Sequence, residues 1–278
     1  MTAKEIEAVE AKARGSSFYS AMKLMPRAER EAMFAIYAFC RMVDDIADDG
    51  IGTREERFEQ LNDWRRDLDV LYDGGVPLKC GFLKDAVSRY GLRKEDFLAI
   101  IDGMEMDVHE DIVAPDLIML DLYCDRVASA VGRLSIRVFG MDEEPGFNLA
   151  HHLGRALQLT NILRDLDEDA AIGRLYLARE HLEAARIAIT DAKAILAHPQ
   201  IDSACQMCAK LAHEHYTKAE AIMRARPKGN LRAPRLMGAV YAAILSAMEA
   251  QGWNPPRTRV SLPKSQLAML VLRNGLFG

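Results

Sequence analysis

The 278-residue chain has no basic excess: its net charge is −5. Its local basic cluster, Arg224, Arg226, Lys228, Arg232 and Arg235, has no aromatic residues interleaved with it, so no nucleic-acid partner is expected. Cysteine is scarce and odd in number, five in all (Cys40, Cys80, Cys124, Cys205, Cys208), which makes no disulfide framework and fits a reducing compartment. Apolar runs are short. None approaches the ~18 residues of a membrane-spanning helix, and the longest, Ala239 to Met248, is interrupted by Ser246. The first fifteen residues, MTAKEIEAVEAKARG, are charged from Lys4 onward and lack an apolar stretch, so no secretory leader is expected. Alternating strand patterns with Asn-Gly or Asp-Gly turns are missing, which argues against hairpin-built β folds. Gly-x-Gly-x-x-Gly after a strand, Walker A, Gly-x-Ser-x-Gly and His-Glu-x-x-His are missing too, so dinucleotide, P-loop, serine-hydrolase and zincin chemistry have no motif here.

Helical periodicity runs nearly end to end. Breakers punctuate it at Pro26, Gly50–Gly52, Gly74–Pro77, Gly91, Pro115, Gly140, Pro145-Gly146, Gly173, Pro199, Pro227–Gly229, Pro234 and Pro255-Pro256. The segments between them are too long for strands and rich in Ala, Leu, Met, Glu, Arg and Lys, the good helix formers. No linker is long or polar enough to mark a boundary, and no repeat is visible. The expectation is one all-α domain over residues 1–278. The apolar tail from Ser261 to Gly278 reads first as a packed helix and second as a segment lying on a membrane surface.

Two acidic stretches carry the chemistry. In the first, Tyr37, Arg41, Asp44 and Asp48 step by four, three and four along one helical stripe, and four aspartates (44, 45, 48, 49) fall within six residues. Like charges at this spacing destabilise a helix, and near a helix C-terminus they also oppose the macrodipole. Taken alone, this cluster reads equally as a solvated acidic end or as a cation site. The second stretch is expected to lie in one long helix, with Gln158, Asn161, Asp165 and Glu168/Asp169 on one stripe and Leu159, Ile162, Leu163 and Leu166 on the others. It repeats the Asp-x-x-x-Asp pair and again has an arginine, Arg164, within a turn. Carboxylate and amide oxygens are hard donors that suit Mg²⁺. Carboxylates repel diphosphate, so such a cluster takes diphosphate only through a bridging cation, with arginines on the outer phosphate oxygens. Loss of diphosphate from an allylic ester leaves a carbocation, which needs a dry apolar cavity with aromatic faces.

These stretches resemble the paired aspartate motifs of the squalene/phytoene synthase family. Four further matches support the resemblance: Ser16-Ser17-Phe18-Tyr19 with Leu24-Met25-Pro26; Ala35 to Arg41; Tyr123 to Gly132; and Gly173-Arg174-Leu175-Tyr176. Together they cover about residues 14–250. CRMVDDIADD, YCDRVASAVGRLSIRVFG and LTNILRDLDEDAAIGRLYL are most similar to the branch that makes presqualene diphosphate for bacterial hopanoids. Ala178 departs from the pattern, where relatives have proline, and only a small change in the loop is expected.

The resemblance implies an isoprenoid-synthase-type helical bundle around a central cavity, and head-to-head condensation of two farnesyl diphosphates to presqualene diphosphate and pyrophosphate. It implies Mg²⁺, two or three ions, held by Asp44 and Asp48 on one wall and by Asn161, Asp165 and Asp169 on the other. Ser16, Ser17, Arg41, Arg164 and Arg174 would contact diphosphate. Phe18 would cover the cation. Tyr37, Gln158, Tyr123 and Tyr241 would line the reacting centre, with Tyr123 serving in proton removal or cation stabilisation. NADPH is not expected. Squalene, phytoene or dehydrosqualene synthesis and a non-catalytic scaffold role are the alternatives. The implied location is cytoplasmic, with peripheral contact at the inner membrane face through the tail. Cys205-x-x-Cys208 lacks a partner pair, and His151-His152 and His213-x-His215 lack a metal-binding frame. Trp64 and Trp253 are expected to pack, and Arg65-Arg66 to form a solvated face.

Overall fold

Pro26, as expected, marks the start of a long helix, α1 (Arg27–Asp48). The structure, a computed structural model, describes Met22 and residues 25–48 and 52–276. Helix α1 buries Ala32, Met33, Ile36, Phe39, Val43 and Ala47 at three- and four-residue steps. The stripe one residue further on carries Tyr37, Arg41, Asp44 and Asp48, so packing of the apolar stripe fixes where the acidic one points. Helix α2 (Arg54–Tyr72) opens with a reciprocal capping box between Thr53 and Glu56. After a 3₁₀ turn (Gly81–Leu83) come α3 (Lys84–Tyr90) and α4 (Lys94–His109).

A long central helix follows, built from α5 (Leu117–Cys124), a π-helical turn (Asp125–Ser129) and α6 (Ala130–Val138). Then come α7 (Glu143–Arg164), the short α8 (Leu166–Ala171), α9 (Arg179–Ala184) and α10 (Ala192–Leu196). The long α11 (Ile201–Arg224), α12 (Arg232–Gln251) and α13 (Lys264–Leu276) complete the chain. Among the described residues the nearest thing to a strand is an isolated parallel bridge between Val113 and Leu175. The all-α expectation holds.

The central helix is the shared wall. Its Val127 packs against both of the large apolar clusters, one built on α1, α2 and α4 and the other on α7 and α11. Helix α7 lies directly on the π turn. A Cβ at Gly154 would sit 2.7 Å from the Ser129 Cα and 2.8 Å from its N, so only glycine lets the backbones meet there. One residue on, buried Arg155 locks the contact, donating to both carboxylate oxygens of Asp121 (2.6 and 2.8 Å), to Asp125 (3.2 Å) and to the Ser129 hydroxyl (3.0 Å).

The expectation of one unbroken helix through Gln158 and Asp169 is corrected. Helix α7 stops at Arg164, Asp165 turns out of helical geometry (φ −105, ψ 18), and α8 begins at Leu166. The Trp253 indole N–H donates to the Leu163 carbonyl (3.2 Å), satisfying one acceptor that the break leaves near the helix end. Arg65 is likewise not solvated: it bridges α2 to Asp102 (2.6 Å) and to Glu105 on α4, while Arg66 is exposed as expected. Trp64 and Trp253 are buried, and Cys205 and Cys208 are free thiols in the core. Ala178 has φ −61, the value proline imposes, so its loop keeps a proline-compatible course. Helix α13 packs Leu267, Leu270 and Val271 inward and leaves Met269 and Leu272 exposed. No helix among the described residues is long and apolar enough to cross a membrane.

Replacing Gly154 with alanine tests the close approach. Helix propensity alone would gain about 1 kcal/mol, whereas overpacking against backbone costs about 1–3 kcal/mol. Net destabilisation is expected, read as a lowered midpoint in urea unfolding with an unchanged m-value.

Candidate active site

The last turn of α1 contains no basic residue, so its carbonyl ends and acids need cations from elsewhere. Two arginines supply them at the Ala47 carbonyl: Arg57 donates to it at 3.0 Å and Arg174 at 3.0 Å. Arg174 is buried just after the turn at Gly173 (φ 87). It also donates to the Asp48 carboxylate (2.7 Å) and to the Asp107 carbonyl (3.3 Å), tying α1, α4 and the segment after α8 into one corner. The Asp107 carboxylate beneath it accepts from the Tyr176 hydroxyl (2.6 Å) and the Tyr123 hydroxyl (3.1 Å), whose rings stack with centroids 4.5 Å apart.

Helices α7 and α8 form the opposing wall. Arg164 grips Asp165 in a fork (2.8 and 2.6 Å), and Arg259 reaches Asp165 from beyond α12 (2.9 Å). The Arg164 guanidinium lies 6.0 Å from the Tyr241 ring centroid. Asn161 makes only a long bond, Nδ2 to Gln158 (3.5 Å), and its Oδ1 is buried with no partner. A buried amide oxygen without a donor is costly, and this one lies within a turn of Asp165 on the same acidic wall.

The carboxylates act on one another across the gap. Burial, then the neighbouring Asp48 charge, pushes the Asp44 carboxyl up to about 7, against the pull of Arg41, which pairs with Asp44 (2.6 Å) and Asp45 (2.9 Å). Burial, then Asp165 and Asp48, pushes Asp169 up to about 7 as well. Asp48 thus bears on a carboxylate of its own helix and on one of α8, so the two motifs face each other. Burial also raises Asp107 to about 6, with Arg174 and the two tyrosines opposing it. Arginine pairing leaves the cluster short of positive charge. Its donors, carboxylates and an orphaned amide oxygen, are hard oxygens of the kind that fit Mg²⁺.

Most of the expected residues converge here: Arg41, Asp44 and Asp48 from α1, Asn161, Arg164, Asp165 and Asp169 from the far wall, and Arg174 between. Tyr37 shares the α1 stripe and feels the charges of Arg41, Asp44 and Tyr241. Ser16, Ser17 and Phe18 lie outside the described residues. Of the two roles expected of Tyr123, proton removal is the one its surroundings disfavour. The tyrosine is buried, it donates to Asp107, and burial holds its hydroxyl well above its ordinary pKa, so it is unsuited to removing protons. Asp107, Tyr176 and Arg259 went unassigned in the sequence reading. Asp107 had a legible signal, since it falls on the buried stripe of α4 with Phe97, Ile100, Ile101, Met104 and Val108, where an unpaired acid has no business.

A helical bundle with carboxylates from two helix ends facing each other, flanked by arginines, is the arrangement of the isoprenoid-synthase-type proteins. The chain belongs to the squalene/phytoene synthase family, whose profile matches residues 11–266. It is 57% identical to a presqualene diphosphate synthase of Zymomonas mobilis, over 94% of this chain and 89% of that one. It is 52% identical to a presqualene diphosphate synthase of Rhodopseudomonas palustris, over 93% of each. Among solved structures it resembles a squalene synthase from Alicyclobacillus acidocaldarius, with a TM-score of 0.77 and 26% identity over 91% of this chain and 95% of that one. It shares the fold of a dehydrosqualene synthase crystallised with a ligand, with a TM-score of 0.82 and 24% identity over 99% and 96%.

The electrostatics predict a pH dependence for the metal-free protein. A carboxyl whose folded pKa is raised is favoured in its neutral form, so its stabilising share is present near the unfolded value of about 4 and is lost as pH rises to about 7. The unfolding temperature of chelator-treated protein is expected to fall between about pH 4 and pH 7 and to level off above that. Asp48→Asn should flatten that fall, and Mg²⁺ at the upper pH should reverse it. Equal slopes in the two proteins would contradict the facing geometry.

Proposed function

We propose that this chain joins two farnesyl diphosphates head to head, giving presqualene diphosphate and pyrophosphate, with Mg²⁺ as cofactor. The facing acidic clusters are the observation that carries the reading, and the 57% and 52% identical relatives named presqualene diphosphate synthase support the choice of product. Asp44 and Asp48 on α1, with Asn161, Asp165 and Asp169 opposite, would hold the metal. Bound there, Mg²⁺ would supply Lewis-acid neutralisation of the departing diphosphate.

The chain's own groups do the rest. Arg41 and Arg164 rest on carboxylates beside the cleft, and their planar forks match phosphate oxygens. Arg174 holds Asp48 in register and, with its two Nη groups bonded to Asp48, Ala47 and Asp107, acts mainly in positioning α1. Tyr123 and Tyr176 fix Asp107 beneath that corner. An apolar cleft between the central helix, α7 and α12, lined by Val131, Gly132, Leu157, Pro234 and Met237, suits a prenyl chain and excludes water from the cation. The C1–O bond of one substrate breaks and its C1 bonds to the 2,3-double bond of the other. Proton loss then closes a cyclopropane, and the second diphosphate stays on the product. Pyrophosphate is the acceptor for the proton, since Tyr123 is held protonated. The reaction ends at this product and uses no NADPH. Substrate and product are lipophilic, and exposed Met269 and Leu272 on α13 offer the apolar contact for peripheral association at the cytoplasmic membrane face.

Incubation with farnesyl diphosphate and Mg²⁺, omitting NADPH, tests this by product analysis. A cyclopropyl C30 diphosphate with one pyrophosphate released is expected. Squalene appearing once NADPH is added, or turnover of a C20 diphosphate instead, would reassign the chain to a sister activity. Asp44→Ala and Asp165→Ala should each lower kcat by roughly 10²–10³-fold while far-ultraviolet circular dichroism stays unchanged. Activity indifferent to both would leave a scaffold role.

A further inference from the structure

Three histidines meet on the flank of the molecule, where α11 packs along α7. His151 and His152 are consecutive on α7, and His215 comes from α11. One ring nitrogen from each lies within 4.8 Å of the other two. The His152 and His215 Nδ1 atoms are 3.0 Å apart, and the ring centroids are 4.7, 5.2 and 6.0 Å from one another. A tetrahedral ion with bonds of about 2.0–2.1 Å to nitrogen spaces its ligands roughly 3.3 Å apart. The His152–His215 pair is already close to that spacing, and a His151 ring nitrogen lies within 4.8 Å of both. A hydrogen bond between two neutral imidazoles explains one contact but leaves the third ring unaccounted for.

The surroundings fit a cation. His151 is exposed and the other two are half-buried, which leaves a path in and a fourth position for water. The charges facing the rings are those of Arg155 on α7, Lys218 on α11, and Asp121 and Asp125 from the central helix. The Arg155 charge is spent on its fork to Asp121 and its bond to Asp125, so those carboxylates offset the nearest repulsion. Imidazole nitrogen is the donor for Zn²⁺, Co²⁺, Ni²⁺ and Cu²⁺ and a poor one for Mg²⁺, the reverse of the acid cluster's preference.

We propose that His151, His152 and His215 form a transition-metal site of the Zn²⁺ class that staples α7 to α11, chemically separate from the oxygen-lined cleft. Two helices supply the ligands, with His152 and His215 63 positions apart, so no short motif announces the site, and the absence of a sequence frame did not exclude it. The site sits about two turns upstream of Gln158 and Asn161 on the same helix, so its ion would brace the helix that carries one wall of the cleft. Nothing in this inference depends on the reaction assigned to the chain.

Untagged full-length protein, stripped with chelator and held in excess Mg²⁺, is titrated with Co²⁺. A visible d–d band of tetrahedral intensity, saturating at one equivalent and bleached by Zn²⁺, is expected. His215→Gln and the exposed His151→Gln should each weaken Co²⁺ binding about tenfold or more. His213→Gln, whose ring pairs with Glu249 (2.9 Å), and Asp44→Asn should leave it unchanged. No band under excess Mg²⁺, a band that survives both histidine variants, or a band abolished by Asp44→Asn would overturn the proposal.

Discussion

Mutual repulsion among carboxylates organises this molecule. Asp44, Asp48, Asp107, Asp165 and Asp169 are gathered at the ends of α1, α4, α7 and α8, and desolvation and like charge disfavour ionisation of Asp44, Asp107 and Asp169. The fold tolerates the gathering because cations are threaded among the acids, two from nearby positions, Arg41 at Asp44 and Arg164 at Asp165, and two from distant parts of the chain, Arg174 at Asp48 and Arg259 at Asp165. These arginines reach Asp44, Asp45, Asp48 and Asp165 and, among the described residues, leave Asp169 without an arginine ion pair. The balance is therefore incomplete by construction, and Asn161 adds a buried oxygen with no donor. A divalent ion meets both deficits at once.

How much of this could be read from residues follows from locality. Helix starts and stops were legible because proline and glycine act within a turn, as at Pro26. The α1 stripe was legible because its apolar and acidic rows step together along one helix. The break at Asp165 was not, because what ends α7 there involves the indole of Trp253, which bonds the Leu163 carbonyl from 90 positions away. The surroundings of Tyr123 were hidden for the same reason. Its motif showed a tyrosine near the centre, but only the fold shows Asp107 and Tyr176 closing around it. Arg65 escaped notice as a structural bridge since its partners lie on α4, and the three-histidine cluster did because its ligands come from two helices.

Close packing at the π turn connects the two themes. Gly154 lets α7 touch the central helix, and Arg155 then anchors it to Asp121 and Asp125. From that anchor α7 runs on to Gln158, Asn161 and Arg164, so an error of register at Gly154 would be carried into the site. Metal and diphosphate sites tolerate little misplacement, which gives a small residue on a buried helix a part in chemistry it never touches.

The Arg174–Asp48 bond joins residues 126 positions apart. Closing so wide a loop costs entropy that only the finished bundle recovers. The corner exists only where both halves of the polypeptide meet, and neither half alone carries the Arg174–Asp48 bond. The two acidic walls are therefore a property of the assembled bundle, with one partner of the bond drawn from each half of the sequence.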